Sequence, residues 1–456
     1  MKKYLAICFS AFTLLLTGVS CVHGSEDEIA LSPYAMLKSF SLGTIKSAYP
    51  SFTATGGDTM VVKSVSMTGI QFTINQATGE VFNRDSLPFS TDVSKVVATM
   101  SVTGVASLYN DSTETYDHFS STDSLDFTYP RKVRIYSADA SYYKDYTLTV
   151  NVHQVNPDLM VWSKSMLPAG FQPLRAVEHD GQMRIFGTVD NGKPVVLSAS
   201  SDAGQQWYPL DVTGLDNSSA LAGVQCYAGR LYAVSGGVLY CSDNASDWSA
   251  VMQGNGFVAI VGTSDEDGKM WLATETELFS TADAVTVESE GALPVGFPLY
   301  GLSLASYPLS HNKSITRYML VGYSTPEMDG NPSVWSRIST EDKWVKYDNV
   351  GNPYACPALK GLAVLRYNNF LYALGGAGTV DGVAVSPFSA FYISKDNGIV
   401  WKMNSSFSQR LPKELENNAS QFTAAVDAGN YMWIACGGDS AVVWKGIINQ
   451  LGFKNK

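Results

Sequence analysis

Four aromatic residues and three carboxylates stand in the loop-rich stretches of this 456-residue chain: Phe171, Phe297, Tyr323 and Tyr354, with Glu327, Asp329 and Asp381. An aromatic ring offers a flat apolar face for stacking, and a carboxylate accepts hydrogen bonds from hydroxyls. Those residue types point to ligand capture, although each aromatic has a structural alternative, which is to pin its own loop. Other chemistries lack their parts. The five histidines (His23, His118, His153, His179, His311) are scattered and no two cysteines form a CxxC pair, so no zinc site is expected. His179 and His311 sit by expected turns without a nucleophile elbow, which argues against Ser/His/Asp catalysis. No catalytic residue, metal or cofactor is assigned.

What must position these side chains is a unit that recurs six times between Leu174 and Gly446. Each copy reads apolar strand, short turn, second apolar strand, polar gap, third strand. Equivalent second strands carry Arg184, Arg230, Lys269, Arg317, Phe370 and Tyr431, giving spacings of 46, 39, 48, 53 and 61 residues. A sheet-forming repeat of about 40–50 residues is the signature of a β-propeller, one four-stranded blade per copy. The expected fold is therefore all-β, with a six-bladed propeller over 159–456. The sixth copy supplies only three convincing strands, whereas LMVWSKSMLP (Leu159 to Pro168) looks like a fourth strand. Residues 159–166 are expected to complete the last blade and so close the ring without an open edge. The longest loops, around Thr325–Pro332, Gly376–Pro387, Glu288–Pro298 and Asn349–Pro357, fall between second and third or fourth and first strands. Long loops on a rigid ring are where function is grafted.

Two copies carry S-x-D-x-G-x-x-W: Ser200, Asp202, Gly204 and Trp207, then Ser394, Asp396, Gly398 and Trp401. These resemble Asp-boxes, tight turns between third and fourth strands. In such a turn the Asp accepts backbone N–H bonds, Gly permits positive φ and Trp packs beneath. The second copy keeps Asp243 and Trp248, with Ala245 in the glycine place. Leu231–Gly237 and Leu371–Gly376 resemble the kelch second strand with its double glycine. Both motifs are read as structural. Asp-boxes invite comparison with sialidases, which need three carboxylate-clamping arginines, a Tyr–Glu pair, an Asp acid and a Phe-Arg-Ile-Pro-like motif. Here the corresponding stretch is Phe171-Gln172-Pro173-Leu174-Arg175. Arg175 and Arg366 sit on first strands and can approach the channel, but Arg184, Arg230 and Arg317 are expected at the opposite face.

Residues 29–153 lack the repeat and show alternating strands instead. Val133 to His153 (VRIYSADASYYKDYTLTVNVH) resembles the last hairpin of Ig-like domains in Bacteroidetes surface proteins, which implies a small β-sandwich spacer. Residues 154–158 form the linker. At the start, Lys2, Lys3 and the apolar run Leu5 to Leu16 read as a signal peptide over 1–20, too short to span a bilayer. Gly18-Val19-Ser20-Cys21 resembles a bacterial lipobox, making Cys21 the expected lipidation site, with simple secretion as the alternative. The acidic stretch Ser25-Glu26-Asp27-Glu28 within 21–28 resembles the export tag of Bacteroidetes surface lipoproteins. Loss of 1–20 would remove two lysines and no acids, so the net charge becomes 29 − 42 = −13. Such a surface repels nucleic acid and anionic lipid, and suits neutral glycans or basic proteins. Cys226, Cys241 and Cys436 lie in apolar strands and read as buried free thiols, with one disulfide as the alternative.

The whole chain resembles a Bacteroidetes surface lipoprotein family built of signal, Ig-like spacer and kelch/Asp-box-type propeller. That resemblance implies location and fold, namely a lipid anchor in the outer membrane and exposure at the cell surface. The leading expectation for function is non-enzymatic binding of a glycan or protein. The alternatives are a glycan-active hydrolase or lyase using acids in the top-face loops, or a scaffold subunit of an outer-membrane complex.

Overall fold

The computed structural model describes residues 31–53, 57–67, 69–189, 192–200, 207–215, 217–416, 418 and 421–453. Cys21, the expected signal and export segments, and Asp202 and Gly204 of the first Asp-box lie outside the described residues. The chain is all-β apart from short 3-10 turns. It divides into two units, one comprising residues up to Tyr49 with Met60–Gln154, the other Pro50–Thr59 with Val155 onward.

In the first unit a six-stranded sheet runs in the order Phe72–Asn75, Glu80–Asn83, Tyr143–Thr149, Arg131–Tyr136, Val105–Asn110, Thr115–His118. A three-stranded sheet pairs Val96–Thr103 with Met36–Leu42 and Ser124–Leu125. Alternate residues Val133, Ile135, Tyr146 and Leu148 are buried, together with Leu37, Phe40 and Val96 of the smaller sheet. Period-two alternation puts these side chains on one face. The Tyr146 hydroxyl keeps its partners in that core, accepting from Leu37 N at 3.1 Å and donating to Gln76 Oε1 at 2.7 Å.

The second unit holds six four-stranded antiparallel sheets among its described residues. The first strands of these sheets are Gln172–His179, Gln225–Tyr227, Ala259–Ser264, Tyr300–Pro308, Ala363–Tyr367 and Phe422–Val426. Each touches the next, and the sixth touches the first, so the ring closes on itself. The second strands, such as Lys269–Ala273 and Met432–Cys436, are buried almost throughout. They read as unbroken apolar runs because neighbouring sheets cover both faces. In the sixth sheet Met160–Met166 pairs with Val442–Ile448, from Met160↔Ile448 to Met166↔Val442. The outermost strand thus comes from the far end of the unit and covers the edge that Val442–Ile448 would otherwise present.

Rings lock adjacent sheets together. Phe297 makes edge contacts with Trp335 at 5.2 Å and Trp344 at 5.9 Å, and Trp271 meets Tyr318 at 4.8 Å. A buried ion pair, Arg337 to Glu290, joins the fourth sheet to the third, and Trp271 Nε1 donates to the same carboxylate at 3.1 Å. The four described cysteines are free thiols, of which Cys241, Cys356 and Cys436 are buried.

Two expected loops are partly regular. Glu288–Ala292 is the fourth strand of the third sheet. Gly378–Val380 and Val383–Val385 form a hairpin that also pairs with Ala358–Leu359. Asp381 and Gly382 are its two turn residues, with φ of +50° and +71°. Asp-Gly at positive φ is the usual two-residue hairpin chemistry. Asp381 is therefore placed as a turn residue.

Candidate functional site

Antiparallel sheets in a ring put the turns from first to second and from third to fourth strands at one end. The remaining loops lie at the other. The turn end holds the Asp-boxes. In the fifth sheet Asp396 accepts from Ser394 Oγ at 2.8 Å and Val400 N at 2.9 Å. Gly398 at φ +86° turns the chain, and the buried Trp401 donates to its carbonyl at 3.0 Å. In the second sheet the acceptor is Asn244, not Asp243, bonding Ser246 N at 3.0 Å and Asp247 N at 2.8 Å. Asp243 instead pairs with Arg230 at 2.6 Å, which holds its carboxyl below the usual range. The third sheet carries a version that sequence reasoning missed. Asp283 accepts from Thr286 N at 2.8 Å and Val285 N at 2.9 Å, and these backbone donors bring its carboxyl down to about 2. The T-x-D signal at Thr281–Asp283 was there to find, but Glu288 stands where a tryptophan would mark the box.

The loop end opens into a cavity of about 1970 Å³ that runs down the ring, lined by residues of all six first strands. Its wall is mixed, with Leu174, Leu302, Leu304 and Leu365 beside polar groups such as Ser303 and Thr423, and two arginines, Arg175 and Arg366, also line it. Arg184 and Arg317 donate to Ser198 and Ser336 on their own sheets, and Arg230 pairs with Asp243, so these three do not join the lining. Deeper down, the Arg366 guanidinium lies 3.8 Å from the Tyr307 ring centroid, and Glu266 accepts from Ser306 Oγ at 2.9 Å.

One sector of the rim gathers several candidates. Tyr323 ends the second strand of the fourth sheet and is paired across to Tyr300 on the first strand. The loop after it brings Glu327, Met328, Asp329 and Gly330 onto the cavity. Gly301, at φ +57°, lies under this group, since a Cβ there would meet Met328 Sδ and Tyr323 Cδ2, each at 3.1 Å. A side chain at that position would be strained and crowded. Tyr323 is buried, which pushes its hydroxyl up to about 12, so the group stays a neutral phenol. Tyr300 is 39% exposed and Met328 is 45% exposed. Tyr300 was not singled out from sequence, because one tyrosine opening an apolar strand looks like any other core residue.

The remaining expected ligand residues do not reach the cavity. Phe171 is fully buried beneath Gly187, where a Cβ would come within 2.6 Å of its ring. Phe297 is buried between Trp335 and Trp344. Tyr354 is exposed but belongs beside the fifth-sheet Asp-box, its carbonyl accepting from Trp401 N at 2.8 Å and its ring 5.1 Å from Lys402 Nζ. Of the seven candidates the structure brings Tyr323, Glu327 and Asp329 together. Among the described residues, no group of three or more His, Cys, Asp or Glu could hold a metal ion.

Family models match both parts of the chain, the DUF6242 beta propeller domain over 156–456 and the DUF6242 N-terminal domain, a domain of unknown function, over 40–150. The chain belongs to the DUF6242 family. No curated protein matches it. Among solved structures, a DUF4623 family protein from Bacteroides eggerthii is similar to this DUF6242 protein at 12% identity and a TM-score of 0.36, over 91% of this chain and 98% of that one. An alpha-L-arabinanase from Penicillium chrysogenum, complexed with arabinobiose, is similar at 12% identity and a TM-score of 0.38, over 62% and 98%. A Carbohydrate-Active Enzymes Family AA12 protein of Trichoderma reesei is similar at 11% identity and 0.35, over 65% and 99%.

Proposed function

We propose that this DUF6242 protein is a cell-surface lipoprotein that captures a glycan, without turning it over, at the loop end of a six-bladed propeller. The observation that carries the reading is the rim sector around Gly301. There an exposed tyrosine, Tyr300, shares the cavity edge with two exposed carboxylates, Glu327 and Asp329. A tyrosine face packs against the C–H face of a sugar, and carboxylates accept its hydroxyl donors. Both acids stand on one loop, on the same side of the opening. Hydrolysis of a glycosidic bond needs two carboxyl groups flanking that bond, so this arrangement suits holding better than cutting. The rest follows from sequence: an anchor on Cys21, export to the outer surface guided by Ser25–Glu28, and an Ig-like N-terminal spacer. The acidic chain leaves nucleic acid out of the partners.

The test is a glycan array on the chain from Ser25 onward, with bound ligand and released product read together. Expected is binding without product, weakened about tenfold, or ~1.4 kcal/mol, by Tyr300→Ala. Released product would overturn the non-enzymatic reading. Silence across the array would move the site to a protein partner.

A further inference from the structure

We propose that the channel selects glycans that carry a carboxylate, and that Arg175 is the group that receives it. This rests on the reading of the loop end as a glycan site and names the kind of glycan. Arg175 lies on the first strand of the first sheet, where a register shift between Pro173 and Arg175 interrupts the ladder. Bulges of this kind re-aim a side chain, and here the guanidinium reaches well beyond its own sheet. Its Nε donates to Val224 O at 3.1 Å, next to the second sheet, and its Nη1 to Leu302 O at 3.5 Å, on the fourth. The guanidinium therefore spans the channel, and both of its acceptors are neutral carbonyls.

Arg131, Arg134, Arg230 and the buried Arg337 meet carboxylates, Asp111, Asp145, Asp243 and Glu290, whereas Arg184 and Arg317 donate to serines and Arg366 lies over the Tyr307 ring. Arg175 has no ion pair among the described residues. Desolvation pushes its pKa down to about 10, so it remains a cation at neutral pH. A desolvated cation without a counter-charge is costly to the fold unless something else meets it. The guanidinium has five N–H donors in a fork that matches a carboxylate, and the two carbonyls leave part of that fork free. Desolvation of the guanidinium strengthens any such pair. The overall negative charge of the chain acts at the surface, through salt-screened water, whereas this interaction is local. A sugar acid entering past Tyr300 would set its ring at the rim and its carboxylate against Arg175.

The experiment is calorimetric titration of the chain from Ser25 with trigalacturonate and with its methyl ester, at low salt, for wild type, Arg175→Gln and Arg175→Lys. Wild type is expected to prefer the acid by about tenfold or more, as charge-assisted bidentate bonds are stronger than neutral ones. Arg175→Gln should bring the ratio to about one while leaving affinity for the ester in place. Arg175→Lys should keep part of the preference, since it retains charge but not the planar fork. Raising salt on the wild type should weaken the acid alone, a readout that stands even if Arg175→Gln fails to fold. Equal affinities in the wild type, or an unchanged ratio in a folded Arg175→Gln, would overturn the inference and leave the glycan reading intact. Binding of neither ligand here, with silence across the array, would overturn both.

Discussion

The two ends of the second unit use their charged groups in opposite ways. At the turn end the carboxylates are saturated from within: Asp396 holds Ser394 and Val400, and Asp283 holds Val285 and Thr286. At the loop end Glu327 and Asp329 accept no hydrogen bond from the described residues, and Arg175 finds only carbonyls. The contrast separates two kinds of conspicuous residue. A carboxylate whose acceptor sites are filled by its own turn closes a hairpin and has little left to offer a ligand. A polar group brought to a cavity without a partner is available to one. The recognisable sequence motif sits at the end that does structural work, and the unremarked residues sit at the open one.

Substitutions at the two ends should therefore separate stability from binding. Trp401→Ala removes a buried ring packed in a cluster with Met319 and Val334 of the preceding sheet. A loss of about 3–5 kcal/mol is expected in chemical denaturation, with the glycan affinity of the folded fraction unchanged. Asp396→Ala leaves Val400 N without its acceptor and should cost about 1–3 kcal/mol, again without effect on affinity. Loss of binding in either variant while it remains folded would break the comparison.

The double variant Glu327→Gln with Asp329→Asn should do the reverse, moving stability by no more than about 0.5 kcal/mol and weakening glycan binding measurably in titration. A gentler test uses pH. The Asp283 carboxyl is depressed from 3.8 to about 2 by backbone N–H donors. A depressed folded pKa gives stability that is present above the unfolded value and lost as pH falls through the folded one. Melting temperature should thus fall between pH 4 and 2, and Asp283→Asn should flatten that part of the profile. An identical slope in the variant would show that this turn carries no such linkage.

Much of the repeat was legible because burial on both faces writes itself as an apolar run. LYAL at Leu371–Leu374 and WIAC at Trp433–Cys436 are such strands. Closure of the sixth sheet was legible as well, since its missing strand had a counterpart of the right pattern at 159–166. The site was less so. Phe171 and Phe297 sit beside loops in sequence, but adjacency does not say which way a ring turns, and packing under Gly187 and against Trp335 drew both inward. Asp381 preceded a glycine, a hairpin signal that outweighs its charge. The bulge that aims Arg175 across the channel depends on register, which one strand alone does not reveal.

Hydrogen–deuterium exchange of the whole chain with and without a glycan from the array compares the two ends within one experiment. The account predicts slowed exchange in 217–223, 299–302 and 324–330 around the opening, with 242–248 and 394–401 unchanged. Protection confined to those Asp-box turns, with the rim unaffected, would contradict it.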